Sequence, residues 1–213
     1  MNQEEFYLEK LKKSISGKTA IFIDTANLEK SVQDMWVHPK DAPDKFKGIL
    51  PENLSWRIDY KKLKRFFGDI ADLQFINFYT PEFMAENHRL FLSLLQKLGY
   101  QITKKPLKIY FDHSDEHPHR KANFDVEIAV DAATSLSRFD TIILFSGDSD
   151  FVYLLEFLRK NNKKAVLISR KGHVAKELFT AIDNYFDLVD FRHSFLRIIP
   201  KKAKNPALAG FGG

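Results

Sequence analysis

Two apolar runs in this sequence stop at acids. "AIFIDTAN" (20–27) delivers Asp24, with Asn27 three residues on, and "IILFSGDSD" (142–150) delivers Asp148 and Asp150 just past a Gly. In an open parallel sheet, ligands bind beyond the carboxyl ends of the strands, where the strand order reverses. If these two runs are neighbouring strands across such a switch point, their carboxylates share one crevice. A third acid follows from helical geometry. On a wheel for "FDVEIAVDAATSL" (124–136), Ile128, Ala129, Ala132, Ala133 and Leu136 make one apolar stripe, and Asp125 falls near its centre in the first turn. Glu127, Asp131 and Thr134 fall on the opposite side. A charge on a core-facing stripe is costly to bury unless something pairs with it. Asp125 is therefore the informative acid, and Asp131 is read as a bystander.

Carboxylates that repel one another in one crevice call for a cation. All-oxygen ligation in a chain without Cys suits Mg²⁺ or Mn²⁺, which keep waters and accept substrate phosphates. Such a site can orient a water, lower its pKa and neutralise charge on a phosphodiester. Each acid also has a plainer reading, in which Asp150 and Asp125 cap helices and Asp24 is a satisfied loop residue. His113, His117 and His119 invite a zinc reading, but no further ligand is placed and a solvated loop explains them. Arg120 and Lys121 either steer phosphates or stand exposed. Trp36 and Trp56 either stack on bases or pack a loop down.

The elements that must position these residues alternate between apolar runs and helical periods, which is the pattern of an α/β fold with a parallel sheet. Strands are expected at 19–24, 72–79, 100–103, 107–111, 141–146 and 164–169, with a short last strand at 186–191. Runs such as Ile142–Phe145 do not alternate with polar residues, as expected of strands covered by helices on both faces. Helices are expected over 82–98, with Leu90, Phe91, Leu94, Leu95 and Leu98 as the apolar face and Gly99 as the stop, and over the segment capped by Asp59 and ended by Gly68. Phe151, Leu154, Leu155 and Leu158 mark another helix, and Val174, Leu178, Phe179 and Ile182 a further one. Residues 1–17 read as a helical extension, 33–57 as a long surface loop inserted into the domain, 112–123 as a polar loop and 193–213 as a basic flexible tail.

Composition bounds the function. With 213 residues, 44% apolar and 29% charged, the chain is an ordinary globule able to bury a core. No apolar stretch approaches the length of a membrane span, and the charged N-terminus lacks the apolar core of a secretory signal. The absence of Cys excludes disulfides and thiolate metal sites and fits a reducing cytoplasm. A net charge of +5 and a pI near 9.2 favour a polyanionic partner.

Taken together, "IFIDTANL", "RIDYKKLKRFF", "RKANFDVEIAVDA", "SGDSDFVYLLEFLRKNNKKAVLIS" and "AIDNYFDLVD" resemble the NYN domain, in the LabA-like branch of the PIN-like nucleases. The resemblance runs from about residue 18 to 192. It implies a three-layer, Rossmann-like (PIN-like) fold with a mainly parallel central sheet flanked by helices, and cleavage of RNA by a Mg²⁺- or Mn²⁺-dependent endoribonuclease. By position it places the acidic, metal-binding and catalytic set at Asp24, Asp125, Asp148 and Asp150. Asn27, Arg120 and Lys121 are then the substrate-binding candidates, RNA is the partner, a membrane is not, and a homodimer is compatible. Ala122 stands where the family often has Gly, and Thr25-Ala26 replaces its usual Gly or Glu; neither change removes a ligand. Two rivals follow. A haloacid-dehalogenase-type phosphatase needs a second acid two residues after its nucleophilic Asp, and position 26 is Ala. A non-catalytic RNA- or protein-binding module would be expected to lose acids, and all four are retained.

Overall fold

The structure, a computed structural model, describes residues 3–110 and 119–201, and of 108–110 and 119–121 the backbone alone. The first half of the chain runs α1 (Gln3–Ser14), β1 (Lys18–Asp24), α2 (Thr25–Gln33), β2 (Leu54–Ile58), α3 (Tyr60–Ile70), β3 (Asp72–Glu82), α4 (Glu86–Lys97) and β4 (Tyr100–Pro106). The second runs β5 (Lys108–Tyr110), β6 (His119–Lys121), α5 (Asp125–Thr134), β7 (Thr141–Phe145), α6 (Val152–Lys160), β8 (Lys164–Ser169), β9 (Asn184–Asp187), α7 (Arg192–Phe195) and β10 (Leu196–Pro200).

Six strands form one sheet in the order β4-β3-β1-β7-β8-β9, and every neighbouring pair is parallel. The chain first builds leftward from β1 through β3 to β4, then rightward from β7 to β9, so the order reverses between β1 and β7. The two acid-tipped runs are therefore adjacent at the switch point, with Ile23 beside Phe145.

Period-two alternation divides the apolar runs between two cores. Ile21, Ile23, Ile143 and Phe145 face Leu28, Val32, Leu63 and Phe67 from α2 and α3. Ala20, Phe22, Ile142 and Leu144 face Ile128 and Ala132 of α5 and Leu154, Leu155 and Leu158 of α6. Both faces are covered, which gives the expected three layers. No helix among the described residues is long and apolar enough to cross a membrane.

Several expectations are revised. The segment 33–57 is ordered by three short 3-10 turns, and its last residues form β2, antiparallel to β10. Trp56 on β2 is buried, and its indole N–H donates to the Trp36 carbonyl at 3.2 Å, while Trp36 itself is exposed. The partner strand comes from the stretch assigned to a basic tail. Phe195, Leu196 and Ile198 are buried in the core, and an apolar strand that short carries little signal in sequence. Residues 202–213 of that tail lie outside the described residues. The run 107–111 is not a strand of the main sheet; its residues 108–110 pair antiparallel with β6.

The helical expectations shift too. Helix α3 passes through Gly68 and ends at Ile70, whereas Gly99, at φ 83°, ends the α4 segment as expected. Leu90 and Leu94 of α4 point outward, and Leu92 and Leu95 are its buried residues. The stretch around Leu178 is a 3-10 turn, Lys176–Thr180, that buries Leu178 and leaves Phe179 exposed.

Candidate metal centre

Asp24 is the N-cap of α2. Its Oδ1 accepts from the Asn27 backbone N–H at 3.3 Å and its Oδ2 from the Ser146 hydroxyl at 3.1 Å. The Asn27 side-chain oxygen reaches across to accept from the Gly147 N–H at 3.0 Å. Ser146 Oγ accepts from the Asp148 N–H at 3.3 Å, and Asp148 Oδ1 from the Asp150 N–H at 3.1 Å, capping a 3-10 turn at Ser149–Phe151. A chain of hydrogen bonds thus ties the ends of β1 and β7 together. Gly147 is required by a close approach: a Cβ there would lie 1.8 Å from the His173 carbonyl oxygen, and the Gly147 carbonyl accepts from the Ala175 N–H at 2.9 Å.

Asp125 arrives from the other side, as the first residue of α5. Its N–H donates to Asn123 Oδ1 at 2.8 Å, which leaves the carboxylate at the head of the helix. One carboxylate oxygen from each of Asp125, Asp148 and Asp150 lies within 4.8 Å of the other two. A hard cation about 2.0–2.6 Å from its oxygen ligands spaces them on this scale. Asp24 stands outside this group of three but within its field. Burial pushes the Asp24 carboxyl above its ordinary value, and the charge of Asp148 adds to that, against hydrogen bonds from Asn27 and Ser146. Asp125 is raised first by burial and then by the charges of Asp148, Asp24 and Asp150, against a hydrogen bond with Asn123. Among the described residues, no Lys, Arg or His is among the groups that shift Asp24 or Asp125.

The capping roles fall on different acids from those expected. Asp24 and Asp148 are caps; Asp150 is exposed and its own N–H is the one capped; Asp125 follows its cap residue, Phe124. Asp131 is no bystander, because its carboxylate accepts from the Tyr79 hydroxyl at 2.8 Å. Burial, followed by that carboxylate, pushes the Tyr79 hydroxyl far up. Glu127 pairs with Lys105 at 2.7 Å. A wheel cannot see β3 and β4 beside the helix's polar side. Asn27 braces the crevice through Gly147. The side chains of Arg120 and Lys121 lie outside the described residues, as do those of His113, His117 and His119. Ser146 is the residue that sequence reasoning missed. It is buried and serves Asp24 and Asp148 at once, and its signal was the "SGD" run at a strand end.

The NYN domain family matches residues 18–190. Over 140 residues the chain is 34% identical to the low amplitude and bright protein LabA of Synechococcus elongatus, covering 64% of this chain and 75% of that protein. A crystal structure of a protein of unknown function from Vibrio parahaemolyticus superposes with a TM-score of 0.61 at 23% identity, over 84% of this chain and 96% of that one. That second likeness bears on the fold alone.

Proposed function

Since the chain belongs to the NYN domain family, whose PIN-like members are nucleases, we propose that it is a cytoplasmic, Mg²⁺- or Mn²⁺-dependent endoribonuclease acting at the crevice between β1 and β7. The observation that carries this reading is the meeting of Asp125, Asp148 and Asp150 at one sheet edge, in no ion pair with a Lys, Arg or His among the described residues.

These three acids would hold the ion, which when bound lowers the pKa of a water and offsets charge on the phosphodiester. Asp24, held at both oxygens by Asn27 and Ser146, would add to the field at the ion. Asp150 is the exposed member and is placed to accept a proton from, and so orient, the attacking water. Asp148 is held by the turn it caps, through Oδ1, and its second oxygen would be its ligand to the ion. The basic surface draws in the RNA, to which Arg120 and Lys121 contribute phosphate contacts. The functional unit extends past residue 192, because β10 closes the fold against β2.

The test is incubation of labelled single-stranded RNA with wild type and Asp148→Asn, in Mn²⁺ or in EDTA. Cleavage by wild type in Mn²⁺ alone supports the reading. Equal cleavage by the Asn variant removes it, and RNA binding without cleavage in any metal points to the binding module.

A further inference from the structure

Beside the acidic crevice, α2, the start of α3, the end of β3 and α4 line an open cavity of about 640 Å³. Its wall is continuous with the site: Thr25 and Ala26 directly follow Asp24, and Ala122 stands three residues before Asp125. The lining is mostly apolar and aromatic. Phe83, half-exposed at the entrance, meets the His88 ring edge-on at 4.9 Å, and Phe91 lies behind at 6.4 Å from His88. His88 Nε2 is buried without a hydrogen-bond partner.

Among the described lining residues there is one carboxylate, Glu29, and no Lys or Arg. A phosphate would meet no Lys or Arg among these described residues, whereas a neutral, flat, N–H-rich group would find stacking surfaces and an acceptor. The acceptor is held in place. Tyr60, buried beneath it, donates its hydroxyl to Glu29 Oε1 at 2.8 Å, and burial keeps that hydroxyl protonated. A carboxylate pairs best with two adjacent donors, and among the RNA bases guanine alone offers them, as N1–H and the N2 amino group.

We propose that this cavity holds the base next to the scissile phosphate and selects guanine through Glu29. This rests on the nuclease reading for its meaning but not for its test. The full-length protein is given labelled single-stranded RNAs that differ at one position, carrying guanosine, adenosine, cytidine, uridine or inosine. Cleavage is mapped in Mn²⁺, and binding of the same RNAs is titrated in EDTA. Guanosine should be favoured about tenfold over the other standard bases in both assays. Inosine, which lacks the N2 amino group, should lose most of that advantage. Glu29→Gln, with one donor and one acceptor in place of two acceptors, should shrink the ratio to about twofold. Phe83→Ala should weaken binding of every RNA by roughly tenfold without changing their order.

Cleavage and binding that ignore the base overturn the pocket and leave the nuclease standing. A guanosine preference that survives both inosine and Glu29→Gln also overturns it. Guanosine-selective binding in EDTA with no cleavage in Mn²⁺ supports the pocket and removes the nuclease reading. If Glu29→Gln melts early, the inosine comparison decides, since it leaves the protein unaltered.

Discussion

Carboxylates in two parts of this molecule live under opposite conditions. In the 33–57 segment, Asp41, with its side chain 9% exposed, stands 3.4 Å from Arg192 and 3.6 Å from His193 of α7. Around the ends of β1 and β7 and the head of α5 stand Asp24, Asp125, Asp148 and Asp150, and none of the ion pairs among the described residues includes any of them. Asp41 has its cation built in, so its charge holds the insertion against α7. Among the described residues the crevice acids meet hydrogen-bond donors and no cation. The same residue type anchors the fold in one place and, on the proposed reading, serves a ligand in the other, and the partner decides which.

The largest expected effect lies on the functional side. Asp125→Asn or Asp148→Asn should lower metal-dependent RNA cleavage by about a hundredfold or more, the scale of several kcal/mol of lost charge stabilisation. Wild-type rates in either variant, measured on one labelled RNA in Mn²⁺, would erase the contrast with Asp41.

Metal binding comes next. An ion at about one hundred times its dissociation constant should raise the unfolding free energy of wild type by about 2.7 kcal/mol. The gain should be much smaller in Asp125→Asn and unchanged in Asp41→Ala. Urea melts with and without Mn²⁺ measure all three, and an equal gain in Asp125→Asn places the ion elsewhere.

Breaking the paired acid should act in the opposite sense. Asp41→Ala strands Arg192 and His193 and should cost about 1–2 kcal/mol of stability in EDTA, with RNA cleavage little changed. A variant that melts like wild type would show that the insertion needs no such anchor.

Removing a crevice acid should instead be neutral or stabilising without metal, by up to about 1 kcal/mol, because repulsion is relieved. Substituent choice sharpens the point at the two caps. Asn also caps, so Asp24→Asn and Asp148→Asn keep the turn, whereas the Ala variants should lose about 0.5–2 kcal/mol. Asn variants that melt as low as Ala variants would mean that the acids are structural after all.

The smallest effect is a pH slope. Asp24 and Asp125 have carboxyls raised above 3.8, so the native state holds protons that the unfolded chain has already released. Metal-free stability should therefore fall as pH rises from near 4 through the raised values, and flatten beyond them. Asp125→Asn should make that fall shallower in denaturant melts taken in EDTA. A stability that rises across this window would contradict the assigned direction.

Much of the site was legible because local rules governed it. An apolar run ending in Asp, a Gly after a strand and an acid on an apolar helical stripe are one-dimensional patterns, and Asp24, Asp125, Asp148 and Asp150 all followed from them. The same holds for the main strands, whose unbroken Val, Ile, Leu and Phe runs require cover on both faces. What could not be read depended on partners distant in sequence. Asp131 looked solvated on the wheel and meets Tyr79 from β3, 52 residues away. Residues 196–200 look like the start of a basic tail and become a strand only because β2 is there to pair with. The sequence by itself determined the main-sheet strands, the acids at their ends and the absence of Cys ligands, since each rests on residue type and spacing. Only the tertiary structure decided that β1 and β7 are neighbours, that Ser146 and Asn27 brace their ends, and that a cavity with Glu29 in its wall opens beside them. Pairing, bracing and enclosure are relations between segments, and no local pattern encodes which segments will meet.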